Sequence, residues 1–179
     1  IAEGLVKNHG YSRDVENGVQ TGIVTAEQGV FRFTPPATAG EAWTVEQLLD
    51  APVSDALLLD FDGDGKKELL TLSPFHGDTL RVYHKQDGRF VPVFTYENKI
   101  PFAHAICAAK RNGTPIAVVG HRKERRDLLA VDYADGAYRV TVLDHDVGPA
   151  NAMYLPVAGR DIVIAANRET NEIAYYTLE

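Results

Sequence analysis

A chain of 179 residues with 18 Lys and Arg against 25 Asp and Glu carries a formal net charge of -7, which argues against nucleic acid as its main partner. Hydrophobic residues make up 45% of it, yet no apolar run is long enough for a membrane span. Cys107 is the single cysteine, so an internal disulfide is excluded; it lies in the apolar run Ala105 to Ala109 and reads as a small buried hydrophobe. The chain starts at Ile1 without a Met, which reads as a processed product or a piece of something longer, and trimming would have removed any signal peptide.

In chain order, Gly4 to Lys7, Val30 to Thr34 and Trp43 to Leu49 read as strands, with a long loop from Asn8 to Gln28 between the first two. Trp43 to Leu49 also fits a short helical turn. Next comes Ala56 to Leu59, an apolar strand, and then the most informative stretch of the chain. Asp60-Phe-Asp62-Gly-Asp64-Gly-Lys-Lys-Glu68 puts carboxylates at positions one, three, five and nine of a glycine-punctuated turn. Hard oxygen ligands at that spacing describe a calcium site: Asp60, Asp62, Asp64 and Glu68 supply side chains, Lys66 supplies its carbonyl, and Gly63 and Gly65 permit the tight backbone. The alternative is an acidic turn without a metal. An EF-hand would need flanking helices, whereas Leu69 to Leu72 follows here as another strand.

Residues Val53 to Ile100, Pro101 to Gly148 and Pro149 to Glu179 then align at a period of roughly 48. Each unit opens on a polar residue followed by Ala: Asp55-Ala56, His104-Ala105, Asn151-Ala152. Second strands follow at Leu69 to Leu72, Ile116 to Val119 and Ile162 to Ala165, and third strands at Thr79 to Tyr83, Leu128 to Tyr133 and Glu172 to Thr177. Asp87-Gly88 and Asp135-Gly136 turn two of the units into a fourth strand, Phe90 to Phe94 and Tyr138 to Leu143, and Asp-Gly between apolar runs is a strong hairpin signal. Phe31, Phe33, Tyr175 and Tyr176 alternate as packing residues of the first and last units.

The Asp60 to Glu68 loop, set between strands, resembles the D-x-D-G-D-G-x-x-[DE]-[LI] loop of the FG-GAP or VCBS repeat of integrin-like β-propellers. The resemblance implies an all-β propeller of four-stranded antiparallel blades in one domain, with units at about 1–52, 53–100, 101–148 and 149–179. The first unit is then a blade without its inner strand, and the last stops after its third, giving roughly three and a half to four blades. A propeller removes its open edges by closing, so the chain is expected to belong to a ring of about six or seven blades, completed by another segment or subunit. Only Asp60 to Glu68 matches the signature; Lys110 to Pro115 and Val157 to Arg160, at the equivalent turns, lack the carboxylates. One structural calcium is therefore implied. Relatives of this kind include adhesion heads, sugar-binding lectins and carbohydrate lyases, and the resemblance leans towards an extracytoplasmic setting.

In such a blade the start of strand one and the end of strand two share a face. That face collects Asp55, His104 and Asn151 from the strand starts, and His9, His76, His121, Arg122, Asn167 and Arg168 from the strand ends; it holds four of the six histidines. The calcium-type turn falls on the opposite face. Converging imidazoles of His9, His76, His104 and His121, with Asp55, suit a transition metal such as zinc or manganese. Arg122, Arg168, Asn151 and Asn167 suit a carboxylate, phosphate or carbohydrate ligand. Three functions fit: a binding module for a carbohydrate or anionic small molecule, a metal-dependent lyase, dehydratase or isomerase of sugars with these histidines catalytic, and an adhesion propeller that uses the Asn8 to Gln28 insertion. Polar loop residues without a site are the plain alternative. No phosphate loop or nucleophile elbow is present, and Cys107 has no polar neighbour to activate it.

Overall fold

A computed structural model describes residues 1–179 as fifteen strands in four antiparallel sheets, each sheet built from consecutive strands. Blade 1 holds β1 (Tyr11–Glu16), β2 (Val19–Ala26), β3 (Gly29–Thr34) and β4 (Thr44–Leu49). Blade 2 holds β5 (Asp55–Leu59), β6 (Glu68–Ser73), β7 (Thr79–Gln86) and β8 (Arg89–Thr95). Blade 3 holds β9 (Ala103–Arg111), β10 (Thr114–His121), β11 (Leu128–Ala134) and β12 (Ala137–Asp144). Blade 4 is the three-stranded sheet β13 (Pro149–Val157), β14 (Arg160–Asn167) and β15 (Glu172–Thr177). The fold is an all-β propeller arrangement of four blades, with β1, β5, β9 and β13 as neighbouring inner strands.

Two-residue turns set the registers. Asn17-Gly18, Asp87-Gly88, Asn112-Gly113, Asp135-Gly136 and Ala158-Gly159 all place both residues at positive φ, for example 50° and 79° at Asn17 and Gly18. That geometry matches the twist of the strands it joins, and Asn or Asp followed by Gly tolerates it best. Blade 1 corrects the sequence reading here. Asn8 to Gln28 is not a loop: Asn17-Gly18 folds it into the β1–β2 hairpin, from Glu16 paired with Val19 back to Tyr11 paired with Val24. The blade therefore has its inner strand, Gly4 to Lys7 forms no strand, and Thr44–Leu49 is a strand and not a helical turn.

The core lies between blades. Alternate side chains of a strand point to opposite faces, so Leu69 joins the layer shared with blade 1 while Leu70 and Leu72 join the layer shared with blade 3. Ile23, Val30 and Leu48 meet Leu58 and Leu69 between blades 1 and 2. Leu70, Leu80 and Val82 meet Val119, Leu129 and Val131 between blades 2 and 3, and Val118, Leu128 and Ala130 meet Val163 and Ala165 between blades 3 and 4. A strand serving two such layers has no polar side, which is why β6 is buried at every position.

The two outward faces are different. On blade 4, Met153, Leu155 and Val157 of β13 and Ile173 and Tyr175 of β15 are exposed, Ile173 and Tyr175 at 75% and 69%. Their alternates Ala152, Tyr154 and Tyr176 pack on the layer with blade 3. Tyr175 is thus a surface residue, whereas Phe31 and Phe33 pack together in blade 1 with Leu5 and Val24 over them. On blade 1 the outward face holds a cavity of about 700 Å³ whose lining includes Leu5, Tyr11, Phe33 and Trp43. Apolar side chains are thus exposed on blade 4 and line part of the blade 1 cavity. Along the axis, Tyr11, Leu57, Ile106 and Met153, one from each inner strand, share an inner cavity.

Candidate functional site

His9 sits one residue before Gly10, which brings blade 1 against the start of β5. Gly10 donates its N–H to Ser54 O at 2.9 Å, and a Cβ on it would lie 2.6 Å from that oxygen and 2.7 Å from the Asp55 Cα. Only glycine permits that approach. His76 lies in the β6–β7 connection with a left-handed φ of 47°, and Gly77 closes that turn by donating to Pro74 O at 2.7 Å. A non-glycine residue in this region is uncommon. His104 stands on β9, the inner strand of blade 3.

The three rings meet. His76 Nε2 lies 3.2 Å from His9 Nε2, and one ring nitrogen of each of His9, His76 and His104 lies within 4.8 Å of the others. Two of the tautomers are set from behind. His104 Nδ1 is 2.8 Å from Ala150 O, a carbonyl that can only accept, so Nδ1 carries the proton and Nε2 keeps its lone pair. His9 Nδ1 faces Asp55 Oδ2 at 3.2 Å, with the same result. Asp55 is itself held by Ser54 Oγ at 3.0 Å; burial raises its pKa, against the pull of His9 and Ser54. Burial and the neighbouring His9 and His104 lower the His76 pKa and favour its neutral form. Imidazoles oriented by a carboxylate and a carbonyl are what a metal-ligating set requires.

Aromatic rings frame this cluster. Phe75 stacks on His76 at 4.2 Å, and Phe102 lies 4.6 Å from His76. On Phe102 rests the Arg122 guanidinium, 5.0 Å from the ring centre. Arg122 donates Nε and Nη2 to Glu169 Oε1 at 3.1 and 2.9 Å, across the junction of blades 3 and 4. Arg168 is largely exposed, with Nη1 3.8 Å from the same carboxylate. Asn167 is buried and donates to Tyr176 Oη at 2.7 Å, while its Oδ1 has no partner; Asn151 is exposed on β13. The ligand-type residues therefore split into Asp55 beside the imidazoles and a separate group on blades 3 and 4 joined to it through Phe102.

His121 does not join the cluster. It is 1% exposed, its Nδ1 3.1 Å from Lys123 O and its Nε2 accepting from Asp127 N at 3.2 Å, so both nitrogens brace the β10–β11 connection. Burial lowers its pKa. A register shift between Gly120 and His121 turns the side chain inward. Cys107 is likewise inert, burial pushing its thiol up to about 12.

On the opposite face the acidic turn is organised by its own carboxylates. Asp60 accepts from Gly63 N at 2.8 Å and Gly65 N at 3.1 Å, Asp62 from Asp64 N at 3.0 Å, and Asp64 from Lys66 N at 2.7 Å. Oxygens of Asp60, Asp62 and Asp64 lie within 4.8 Å of one another. Glu68, at the start of β6, is 3% exposed; burial and the three aspartates raise its pKa to about 7. A second group, absent from the sequence reading, joins Asp62 and Glu68 to His84 of β7. Phe102 also escaped that reading, whereas Phe75 and Glu169, beside His76 and Arg168 in the sequence, fell in the strand-end stretches of this face without a role of their own. Comparison with known proteins finds no family model that matches the chain and no curated protein that matches it.

Proposed function

We propose that the chain binds a transition-metal ion of the zinc or manganese type through His9, His76 and His104, and through it the carboxylate of a sugar acid or similar anionic small molecule. The observation that carries this reading is the convergence of three imidazoles, two of them backed by Asp55 and by the Ala150 carbonyl, on one point. Imidazole donors suit zinc and neighbouring first-row ions over calcium or magnesium. Three protein ligands leave a position for a ligand atom, and Arg122, paired with Glu169 and stacked 5.0 Å from the Phe102 ring centre, lies on the far side of that ring. Phe75 and Phe102 offer the apolar surface on which a pyranose ring packs.

The second reading is elimination or isomerisation on the same ligand, favoured because three protein ligands with an open position typify catalytic metal sites. His121 cannot be its base, being sealed between Lys123 and Asp127. The adhesion reading loses its support, since the insertion it relied on is the β1–β2 hairpin. We also propose one structural calcium held by Asp60, Asp62, Asp64, Glu68 and the Lys66 carbonyl, in keeping with the convergence of three of those carboxylates. Further blades, from another segment or subunit, are proposed to cover the outward faces of blades 1 and 4.

Metal analysis after dialysis against zinc, manganese and calcium tests the assignment, followed by calorimetric titration of the loaded protein with uronic acids. One equivalent of transition metal lost in His104→Ala, with uronate binding that needs the metal, supports it. Stoichiometric calcium without any transition metal would overturn it. Release of an unsaturated or isomerised sugar acid would move the assignment to the enzyme.

A further inference from the structure

At the far end of β6, the carboxylates of the acidic turn are not all accounted for by the calcium-type triad. Lys66 pairs with Asp64 at 3.2 Å and Lys67 is drawn away to Asp14, so neither Asp62 nor Glu68 has an ion pair. Glu68 is 97% buried by residue and spends Oε2 on the Phe61 N–H at 2.8 Å, while Oε1 accepts no hydrogen bond. With Oε2 committed to the backbone, Oε1 keeps its lone pairs for a further partner. His84 offers a nitrogen within 4.8 Å of oxygens from both Asp62 and Glu68.

The imidazole is held from the next blade. His84 Nε2 lies 2.7 Å from Tyr138 Oη on β12, which leaves Nδ1 as the free nitrogen. Tyr138 is fixed in turn by Phe61 at 5.7 Å, Phe94 at 5.5 Å and Tyr133 at 4.9 Å. Two carboxylates and one imidazole, with the second imidazole nitrogen on a phenol, make a mixed set that a borderline ion prefers to calcium. We infer that Asp62, Glu68 and His84 form a transition-metal position, oriented by Tyr138, that ties the base of blade 2 to blade 3.

The position shares Asp62 and Glu68 with the proposed calcium site, so the two ions compete for those carboxylates; His84 belongs to this set alone, and Asp60 and Asp64 to the calcium set alone. The test uses the His76→Ala/His104→Ala protein, in which the opposite face cannot compete, freed of metal by EDTA and titrated with zinc chloride by calorimetry. One equivalent is expected. Adding His84→Ala should weaken it at least tenfold while leaving the calcium response untouched, and Asp64→Asn should do the reverse. Tyr138→Phe should weaken zinc by about tenfold without changing the EDTA-treated melting temperature by more than the loss of one hydrogen bond. Zinc affinity unchanged by His84→Ala, or no zinc uptake in a protein that melts cooperatively, would overturn the proposal.

Discussion

The two ends of blade 2 assemble cation-type clusters in opposite ways. At one end the ligands are neighbours in the chain, and backbone N–H groups of the same turn hold their carboxylates. At the other, His9 and His76 are 67 residues apart and meet only because blade 1 packs on blade 2 and blade 2 on blade 3. The first cluster reports a local turn. The second reports the arrangement of three blades, and it fails wherever that arrangement fails.

Substitutions that separate these dependences are the sharpest tests. His76→Ala has the largest expected effect: transition-metal affinity falls at least about 100-fold, beyond what loss of an outer-shell partner does, while the calcium-induced rise in melting temperature is kept. Equal loss of both would erase the distinction. Gly10→Ala comes next, since its Cβ meets backbone at 2.6 Å; we expect about 1–3 kcal/mol of destabilisation and weaker metal binding although no ligand has been touched. If chemical denaturation shows a stable protein with normal metal affinity, the cluster does not depend on blade docking. Asp55→Asn, which keeps the shape but removes the charge behind His9, should cost about tenfold in metal affinity by calorimetry.

On the opposite face, Asp62→Asn should abolish the calcium-induced shift in melting temperature, worth a few degrees per kcal/mol for a chain of about this length, and leave binding at the histidines unchanged. His121→Gln should produce the smallest change. The folded pKa of His121 lies below its unfolded value, so its contribution to stability is present above the unfolded pKa and is lost as pH falls through the folded one. Melting curves between neutral and mildly acidic pH should therefore flatten in the variant. An undiminished acid-side loss would assign it to other groups.

Much of this was legible in the sequence because repeats and turn residues are local signals. Glu172 to Thr177 is a strand with the bounds read from the sequence, and Asp87-Gly88 and Asp135-Gly136 turn as expected. Blade 1 was misread because β1 is half polar: Arg13 and Asp14 interrupt it, and the latter is buried only because Arg32 and Lys67 neutralise it. Asn17-Gly18 carried the missing signal. The shared face of the histidines followed from strand order, but strand order gives height along the axis and not side-chain direction. His121 shows the limit, since a bulge at Gly120 turns it into the protein. His84 could not be found at all without knowing that β7 returns past the acidic turn.

β6 connects these observations. It is buried along its whole length, begins at Glu68 and ends three residues before His76, so it spans about 20 Å between the two clusters. Packed between two layers, it is a segment that does not open on its own without exposing both. An ion held at either end therefore opposes the same opening event.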